Sequence, residues 1–507
     1  MNVHVTAENR IPEPGAAAAP MPATRERWPI VIIGCGFGGI AMAIALKKQG
    51  RNDFIILERG GDVGGVWRDN TYPGAACDIV SRLYSFSFDQ RHDWSAPFAP
   101  QGEILAYIKK WAARYDIHGH ARFNTEVISA TYDEARAEWT LETRDGGVFT
   151  TPVVISAAGL FNQPNIPDIP GREDFKGEMF HSARWNHGYD LTGKTVAVVG
   201  NGASGVQFIP RIAEQVKQLH LFQRTPQYVM PKAVFPGTGK LDRWLEQRPA
   251  LRWLARAKIF FTFERFLFYR IWFPERRKLG EAAYKKILHE KIQDPELRRK
   301  LTPDYPMGCK RLLVSDVWLD TLAKPHVEVI DTPIARITPE GVEDRNGVLR
   351  KVDAIIFGTG FRVHDYLAPM RVTGLGGRDL NTEWRRGAEA YLGIAVHGYP
   401  NFFMLYGPNT NALTSIIFML ECQARYIARC LRKLETKGAR AMNVRADVQR
   451  RFSDAVQAKL SRTVAAMASC ATYYKNEFGR IDTNWPYYAS EYRRRTLRVR
   501  SRDFEFS

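Results

Sequence analysis

The sequence predicts an α/β fold in which a strand–turn–helix unit occurs twice, because two glycine-rich turns of equal spacing each follow an apolar, strand-like run. The first turn, residues 34–39 (GCGFGG), follows residues 29–33 (PIVII), and the second, residues 200–205 (GNGASG), follows residues 195–199 (TVAVV). A helix-like pattern comes after each turn, and this context distinguishes a dinucleotide-binding G-x-G-x-x-G turn from a chance match. We therefore expect two Rossmann-like dinucleotide-binding domains.

The two units differ in the residue that ends their next strand. Residues 54–57 (FIIL) end at Glu58, whose carboxylate can accept hydrogen bonds from a ribose diol. Residues 219–222 (LHLF) end instead in the sequence QRT, where Arg224 suits the 2′-phosphate of NADP. The contrast predicts that the first domain binds the flavin cofactor FAD and that the second binds NADPH.

Composition limits the class of protein. A chain of 507 residues is long enough for two or three domains, and its net charge of +18 suits anionic cofactors or an acidic membrane surface. Nucleic acid is not expected as a partner, because the sequence has no compact basic and aromatic recognition motif. The six cysteines form no C-x-x-C pair, which argues against a flavin disulfide reductase and against a zinc site, so we expect no metal.

The domain order follows from shifts in composition along the chain. Residues 1–28 are rich in alanine and proline and lack the apolar core of a secretory signal, which predicts a disordered tail on a cytoplasmic protein. Residues 29–165 are expected to form the first part of the FAD domain, and a proline-rich linker at 162–171 leads into an NADP domain at 166–350. Residues 351–507 are expected to complete the FAD domain and to form the C-terminal segment.

A helical insertion is expected at about 239–305 within the NADP domain, where the sequence becomes dense in arginine, lysine and aromatic residues. Its most apolar stretch, residues 258–273 of a basic aromatic helix at 251–277, is too short to span a bilayer. Two interpretations remain open. The helix packs against the NADP domain, or it lies in a membrane interface or lines an apolar substrate entrance.

The segment after the first unit, residues 64–78 (GGVWRDNTYPGAACD), concentrates special residues around one carboxylate. Gly64 and Gly65 permit a close backbone approach to a cofactor, and Trp67 supplies a flat apolar wall. The Pro-Gly turn that follows presents Asp78. The alternative interpretation is a surface turn that ends in a solvated aspartate.

This segment resembles the G-G-x-W…Y-P-G-x-x-x-D motif of Baeyer–Villiger monooxygenases, a branch of the flavin-containing monooxygenases with one FAD and one NADPH. Residues 175–185 (FKGEMFHSARW) resemble the F-x-G-x-x-x-H-x-x-x-W fingerprint of the same branch, and Trp185 favours it over the N- and S-oxidising relatives. Asn186 departs from the proline or aspartate that usually follows. The resemblance covers nearly the whole chain after the first 28 residues.

The resemblance also gives a role to Lys310 and Arg311, which composition alone would interpret as a solvated basic face. It implies that Lys310 and Arg224 clamp the 2′-phosphate and that Arg311 and Asp78 are the catalytic residues, with Asp78 as the partner of Arg311. A guanidinium that stays protonated at neutral pH would stabilise the anionic C4a-peroxyflavin and the oxyanion that forms when it attacks a ketone.

Further site residues follow from the two turns and from the resemblance. Tyr473 stands in a mobile loop where many members of the family place tryptophan over NADP, and His181 and Trp185 would couple the two domains without touching substrate. The predicted FAD contacts are Gly34, Gly36, Gly38, Gly39, Glu58, Val66, Trp67, Asp78, Tyr84, Val127 and Asn409. The predicted NADP contacts are Cys77, Gly200, Asn201, Gly202, Ser204, Gly205, Gln207, Arg224, Thr225, Lys310, Arg311 and Tyr473.

Three functions are compatible with these residues. The first is an NADPH- and O2-dependent flavin monooxygenase that inserts an oxygen atom beside a ketone carbonyl to give an ester or lactone. The second oxygenates nitrogen or sulfur atoms or hydroxylates an apolar substrate, and Arg311 favours the first because only the peroxyanion requires a permanent cation. The third is a flavoprotein that binds nucleotides without oxygenating anything. The sequence leaves the identity of the ketone and the oligomeric state open.

Overall fold

Two five-stranded parallel sheets organise the chain in this computed structural model, and each contains one of the two glycine-rich turns. The structure describes residues 25–507 except 90–92, 235–240, 242–243, 246, 273–274, 413 and 468, and it describes no side chains for residues 266–272. The predicted α/β fold with two Rossmann-like units and a helical insertion is confirmed.

The first parallel sheet contains the 34–39 turn. Its strands, in spatial order, are Phe402–Met404, Val154–Ser156, Ile30–Ile33, Phe54–Leu57 and Ala121–Arg122. The four residues of Ile30–Ile33 are all buried, as expected for a parallel strand that is covered on both faces. Helices Phe37–Lys47 and Ile416–Lys437 share one hydrophobic core with alternate residues of this sheet.

The other face of the first sheet packs against a second, mixed sheet, in which two strand pairs are antiparallel and two are parallel. That sheet consists of Arg25–Arg27, Val148–Thr151, Glu138–Thr143, Val127–Asp133 and Arg371–Thr373. Side chains of opposite parity on the parallel strands, such as Val31 and Ile55, contribute to the core between the two sheets.

The prediction of a disordered tail at residues 1–28 is wrong for its last residues. Arg25–Arg27 form an edge strand parallel to Val148–Thr151, and the backbone N–H of Trp28 donates to the carbonyl of Thr150. Local composition did not indicate this strand because its pairing partner is more than a hundred residues away. Residues 1–24 lie outside the described residues.

The second parallel sheet contains the 200–205 turn. Its strands, in spatial order, are Val327–Ile330, Gln218–Phe222, Thr195–Val199, Ala354–Phe357 and Glu178–His181. Helix Ala203–Ile212 and helix Trp318–Leu322 pack on one face. The small antiparallel sheet of Ile334–Thr338, Gly341–Asp344 and Leu349–Lys351 contributes to the core on the other face.

The predicted boundary at residue 351 does not fit this pairing. Strand Ala354–Phe357 lies between Thr195–Val199 and Glu178–His181 in the second sheet, whereas the sequence pattern assigned it to the FAD domain. The chain returns to the first sheet only with Phe402–Met404. An apolar strand followed by glycine fits either sheet, so only the pairing decides where it belongs.

The insertion between strands Gln218–Phe222 and Val327–Ile330 of this sheet is helical, as predicted. Its described helices are Arg252–Trp272, Arg276–Lys291 and Pro295–Leu301. In the part of the chain that the structure describes, the remaining helices of four or more residues are Val66–Asp69, Gln101–Arg114, Leu380–Glu383, Ala446–Leu460 and Ala489–Thr496. Two strand pairs complete the fold, Val229–Met230 with Leu313–Val314 and Met442–Val444 with Phe504–Phe506.

Helix Arg252–Trp272 packs against the half of the molecule that contains the first sheet. Ile259 and Phe263 are buried against Val80 and Leu83. The expectation that this helix packs against the NADP domain is therefore wrong for Ile259 and Phe263, although Val314 of that domain also packs against the same cluster. None of the helices formed by the described residues is long and apolar enough to cross a membrane.

Two charged side chains of this helix find their partners on the same half of the molecule. Arg256 donates to the carbonyl of Ser85 over 2.9 Å, and burial lowers the pKa of its guanidinium. The buried carboxylate of Glu264 accepts from the backbone N–H of Ala489 at 2.9 Å and of Ser490 at 3.2 Å. These bonds satisfy donors at the start of helix Ala489–Thr496, whose first N–H groups have no partner within the helix.

We expect Glu264→Ala to lower the free energy of unfolding by roughly 1–3 kcal/mol, because it leaves buried N–H groups without an acceptor. Urea unfolding followed by circular dichroism measures this change. Glu290→Ala, which removes a 61% exposed carboxylate on the neighbouring helix, is the matched control and should change stability by less than about 0.5 kcal/mol. Equal effects of the two substitutions would contradict the assigned role of Glu264.

Candidate cofactor cavity and active site

A cavity of about 1460 Å³ runs between the two parallel sheets, and both glycine-rich turns line it. Most of the predicted site residues lie on its wall. They are Gly34, Gly36, Gly38, Glu58, Val66, Trp67, Asp78, Tyr84, Val127, Gly200, Asn201, Gly202, Ser204, Gln207, Arg224, Thr225, Lys310, Arg311 and Tyr473. The fold therefore brings residues from four distant parts of the sequence to one space.

Each turn ends a strand and begins a helix whose first N–H groups are open toward the cavity. The N-cap residues Gly36 and Gly202 provide no side chain to bond these groups. Gly34 and Gly200 have φ values of +99° and +103°, and a Cβ atom at either would lie within 2.7 Å of a backbone carbonyl oxygen, that of Ala157 or Gly358, just after the neighbouring strand of its sheet. Uncapped helix N-termini with glycine approaches are suited to the pyrophosphate of a dinucleotide.

Two of the predicted glycine contacts have a packing role instead. A Cβ atom on Gly39 would lie 2.0 Å from the carbonyl oxygen of Gly34, and one on Gly205 would lie 2.9 Å from that of Gly200. Neither residue lines the cavity. Both glycines allow the helix to approach the preceding turn, so the prediction that they contact a cofactor is not supported by their positions.

Glu58 lies at the end of strand Phe54–Leu57 and is 4% exposed. Its carboxylate accepts hydrogen bonds from the backbone N–H of Cys35 at 2.7 Å and of Gly60 at 2.8 Å. Arg68 donates to the same carboxylate over 2.9 Å. These three donors orient a charged acceptor beside the first turn, as a ribose diol would require.

Two cations lie together beside the second turn. The ammonium group of Lys310 contacts the Thr225 hydroxyl and lies 4.6 Å from the centre of the Tyr305 ring. Burial lowers the pKa of Lys310, and the neighbouring Arg224 lowers it further. Two like charges at short range favour an anion between them, and the 2′-phosphate of NADP fits this position.

Arg311 forms a two-point ion pair with Asp78. Its Nε donates to one carboxylate oxygen over 2.5 Å and its Nη2 to the other over 2.7 Å, which leaves Nη1 as a further donor. Burial opposes the charge of Arg311, but Asp78 together with Tyr473 and Tyr474 outweighs that effect and raises its pKa well above the ordinary value. The cavity therefore contains a guanidinium that stays charged.

The turn that presents Asp78 is fastened to the second unit by Gln207. The Gln207 side-chain oxygen accepts from the Tyr72 hydroxyl at 2.9 Å, and its amide donates to the carbonyl of Ala76 over 2.9 Å. Gly74 has a φ of +80°, and a Cβ atom there would lie 2.8 Å from the Gln207 carbonyl. Gln207 lines the cavity as predicted, but its hydrogen bonds position the Asp78 segment.

Two other predicted contacts point away from the cavity. Asn409 is buried, and its amide donates to the carbonyls of Ile481 and Asn484, so it holds its turn to the C-terminal segment. The thiol of Cys77 is buried and accepts from the backbone N–H of Ile79 at 3.4 Å. Neither side chain lines the cavity, so neither is supported as a cofactor contact.

His181 and Trp185 also lie outside the cavity wall. His181 is 2% exposed, and burial lowers its pKa to about 4, so the ring is neutral at neutral pH. Its Nδ1 accepts from the backbone N–H of Ala183 at 3.0 Å. The Trp185 ring packs against Phe180 and Phe208, with ring centres 5.1 and 5.3 Å away.

The structure adds residues that the sequence pattern missed. Cys309, next to Lys310, forms a disulfide with Cys470, which lines the cavity. Because the two cysteines are 161 residues apart, no local spacing signals the pair. Tyr406 and Asn411 also line the cavity and share a hydrogen bond of 3.1 Å. Both lie within three residues of Asn409, the predicted FAD contact in this part of the chain.

Two dinucleotide-type turns that face one cavity define a flavin- and nicotinamide-dependent oxidoreductase. Residues 31–233 match the family model described as pyridine nucleotide-disulphide oxidoreductase. A Baeyer–Villiger monooxygenase of Pseudomonas aeruginosa is 40% identical over 476 residues, which cover 94% of this chain and 90% of the relative. One from Streptomyces coelicolor is 41% identical over 474 residues, which cover 93% and 91%.

Among solved structures, the OTEMO complex with FAD and NADP superposes with a TM-score of 0.85 at 28% identity, covering 95% of this chain and 99% of that one. The chain belongs to the Baeyer–Villiger monooxygenase family. The predictions of a flavoprotein monooxygenase and of FAD and NADP as its cofactors are thereby confirmed.

Proposed function

We propose that this protein uses NADPH and O2 to insert an oxygen atom beside the carbonyl of a ketone, which gives an ester or a lactone. The observation that carries the proposal is the Arg311–Asp78 pair on the wall of the cavity that both glycine-rich turns share. Family membership supports the class of reaction. The ketone must be a molecule that fits beside the two cofactors in this cavity.

We infer that FAD lies along the first turn and NADP along the second. The residues that would hold FAD are Gly34, Gly36, Gly38, Glu58, Val66, Trp67, Tyr84 and Val127. The residues that would hold NADP are Gly200, Asn201, Gly202, Ser204, Arg224, Thr225, Lys310 and Tyr473. Glu58 would bind the ribose of FAD, and the Arg224–Lys310 pair would bind the 2′-phosphate.

FAD that has been reduced by NADPH supplies the oxygen-activating chemistry. Arg311 would donate a hydrogen bond from Nη1 to the reacting oxygen. Its charge would stabilise the negative charge that develops on oxygen during attack on the carbonyl. Asp78 would hold the guanidinium in place and offset its charge. Oxygenation of sulfur or nitrogen remains the second candidate, but it does not require a permanent cation at this place.

The pairing of strands in the two parallel sheets suggests a division of the chain into domains. We propose that the NADP domain extends from residue 166 to about residue 360, because strand Ala354–Phe357 pairs within the second sheet. The FAD domain would then consist of residues 29–165 and of the chain after about residue 360, because Phe402–Met404 pairs with Val154–Ser156.

We also propose that this is a cytoplasmic protein with a peripheral membrane contact through helix Arg252–Trp272. Trp253 and Phe261 are 61% and 64% exposed on this helix, while Ile259 and Phe263 face the core. Exposed aromatic side chains on a basic chain are suited to the interface of an anionic bilayer.

Arg311→Ala should reduce ester formation by at least a factor on the order of 10²–10³, because it removes a preorganised charge at the reacting oxygen. Flavin reduction by NADPH should remain measurable. Product analysis by gas chromatography and anaerobic stopped-flow absorbance measure the two effects. Arg445→Ala, which removes an arginine paired with Asp447 on the surface, is the control. An unchanged ester yield in Arg311→Ala would exclude a catalytic role for Arg311.

A panel of ketones and sulfides tests the reaction itself. We expect ketone-dependent NADPH consumption with an ester or lactone as product. Turnover of sulfides without ester from any ketone would favour the second candidate. No substrate-dependent NADPH consumption at all would favour a protein that only binds nucleotides.

Arg224→Ala and Lys310→Ala should each raise the Kd for NADP+ by roughly 10- to 100-fold, because each removes a charge-assisted hydrogen bond to phosphate. The Kd for NAD+, which lacks that phosphate, should change little. Isothermal titration calorimetry measures both values, with Lys217→Ala as an exposed control in the same domain. Parallel losses for NADP+ and NAD+ would contradict a 2′-phosphate contact.

Trp253→Ala combined with Phe261→Ala should weaken binding to anionic vesicles in a co-sedimentation assay at low salt. The loss follows from the apolar area that the two side chains would bury in the interface. Phe478→Ala, which removes a 53% exposed ring elsewhere, is the matched control. Absence of vesicle binding by the unaltered protein would exclude the membrane contact.

A further inference from the structure

A disulfide bond joins two parts of the chain that both belong to the cofactor cavity. Cys309 and Cys470 are 161 residues apart in sequence, and their Cα atoms are 5.5 Å apart. Cys309 directly precedes Lys310 and Arg311. Cys470 begins a segment at residues 470–476 that includes Tyr473 and contributes six residues to the cavity wall. The bond therefore connects the part of the chain that contains Lys310 and Arg311 to a second segment of the same cavity wall.

The other attachments of the 470–476 segment lead elsewhere. The amide of Asn476 donates to the carbonyl of Arg386 over 3.0 Å, and its backbone N–H donates to the carbonyl of Arg480 over 3.0 Å. The ammonium group of Lys475 donates to the carbonyl of Met467 over 2.7 Å. These bonds hold the segment to the last third of the chain, whereas the disulfide holds it to the residues beside Lys310.

We propose that the Cys309–Cys470 disulfide positions the 470–476 segment over the NADP site, and that thiol–disulfide exchange with a dithiol loosens this segment and weakens NADP binding. The proposal rests on the proposed assignment of Lys310 and Tyr473 to the NADP site. Cys309 and Cys470 are positioning residues, because neither is required to touch the reacting atoms.

A dithiol reductant supplies the two electrons and two protons that reduction of the disulfide requires. One thiolate of the dithiol attacks the sulfur of Cys470, forms a mixed disulfide and releases the Cys309 thiolate, which takes up a proton. The second thiolate then attacks the mixed disulfide and releases Cys470. The protein gains two electrons and two protons, and the dithiol leaves as its own disulfide.

A dithiol should react with this disulfide rather than with the other cysteines of the described chain. Cys309 is 0% and Cys470 2% exposed, and only Cys470 lines the cavity, so a reductant reaches the bond from the cavity, the side where NADP would bind. The remaining cysteines at 35, 77, 422 and 430 are free and buried, and burial raises the pKa of each thiol. High thiol pKa values make these four poor participants in exchange.

The two effects are linked by thermodynamics. Because the disulfide already orders the 470–476 segment, binding of NADP+ to the oxidised protein does not carry the entropy cost of ordering it. The oxidised protein therefore binds NADP+ more tightly than the reduced protein. Reciprocity then requires that bound NADP+ protects the disulfide against reduction.

The test uses the full-length holoenzyme before and after treatment with dithiothreitol. Alkylation with N-ethylmaleimide under denaturing conditions and intact mass should show four modified cysteines in the oxidised protein and six after reduction, because four of the cysteines are free. The Kd for NADP+ should rise on the order of tenfold after reduction. Tryptic cleavage after Lys475 should become faster, and NADP+ should slow the reduction.

Cys470→Ser and Cys309→Ser should resemble the reduced protein and should not respond to dithiothreitol, whereas Cys430→Ser should respond as the unaltered protein does. The measurements on unaltered protein keep the test valid if either variant fails to fold. Equal Kd values for NADP+ in the two redox states, or six free thiols in the untreated protein, would overturn this inference alone. Failure of NADP+ to bind either form would overturn the proposed function and, with it, this inference.

Discussion

The ion pair between Arg311 and Asp78 imposes the main constraint on the structure around the cavity. A guanidinium that never loses its proton is costly to bury without a partner, and a single carboxylate with two parallel hydrogen bonds provides that partner. The two residues are 233 positions apart, so the pair requires that the first unit and the end of the insertion meet. Gln207 and Gly74 maintain this meeting by joining the Asp78 turn to the helix of the second unit.

The distribution of charge around the cavity follows the same logic. A buried carboxylate, Glu58, lies beside the first turn and is held by three donors, whereas two adjacent cations lie beside the second turn. Arg311 on the same cavity wall is a cation that is neutralised by its own partner. A carboxylate of this kind suits a ribose and adjacent cations suit a phosphate, and hydrogen bonds set the position of the Arg311 charge.

Much of the fold and the site could be predicted because the relevant signals are local. The two glycine-rich turns, the strands before them and the residues at the ends of the next strands each occupy a short window whose geometry depends on backbone periodicity. Signals that depend on pairing could not be predicted in the same way. Strand Ala354–Phe357 pairs within the second parallel sheet, and Arg25–Arg27 form an edge strand. Helix Arg252–Trp272 packs on the half of the molecule that contains the first parallel sheet, because Arg256 and Glu264 have their hydrogen-bond partners there.

The sequence by itself determined the two dinucleotide-type turns and the charged residues near them, since a turn, a strand end and a side chain type are properties of neighbouring residues. The tertiary structure alone decided which of these residues face the cavity and which support it. Asn409 and Cys77 are buried outside the cavity wall, and Gln207 forms hydrogen bonds between the two units. Cys309 forms a disulfide with Cys470, which is 161 residues away in the sequence. Contacts of this kind depend on how the sheets, the insertion and the C-terminal segment pack together, and no short stretch of sequence contains that information.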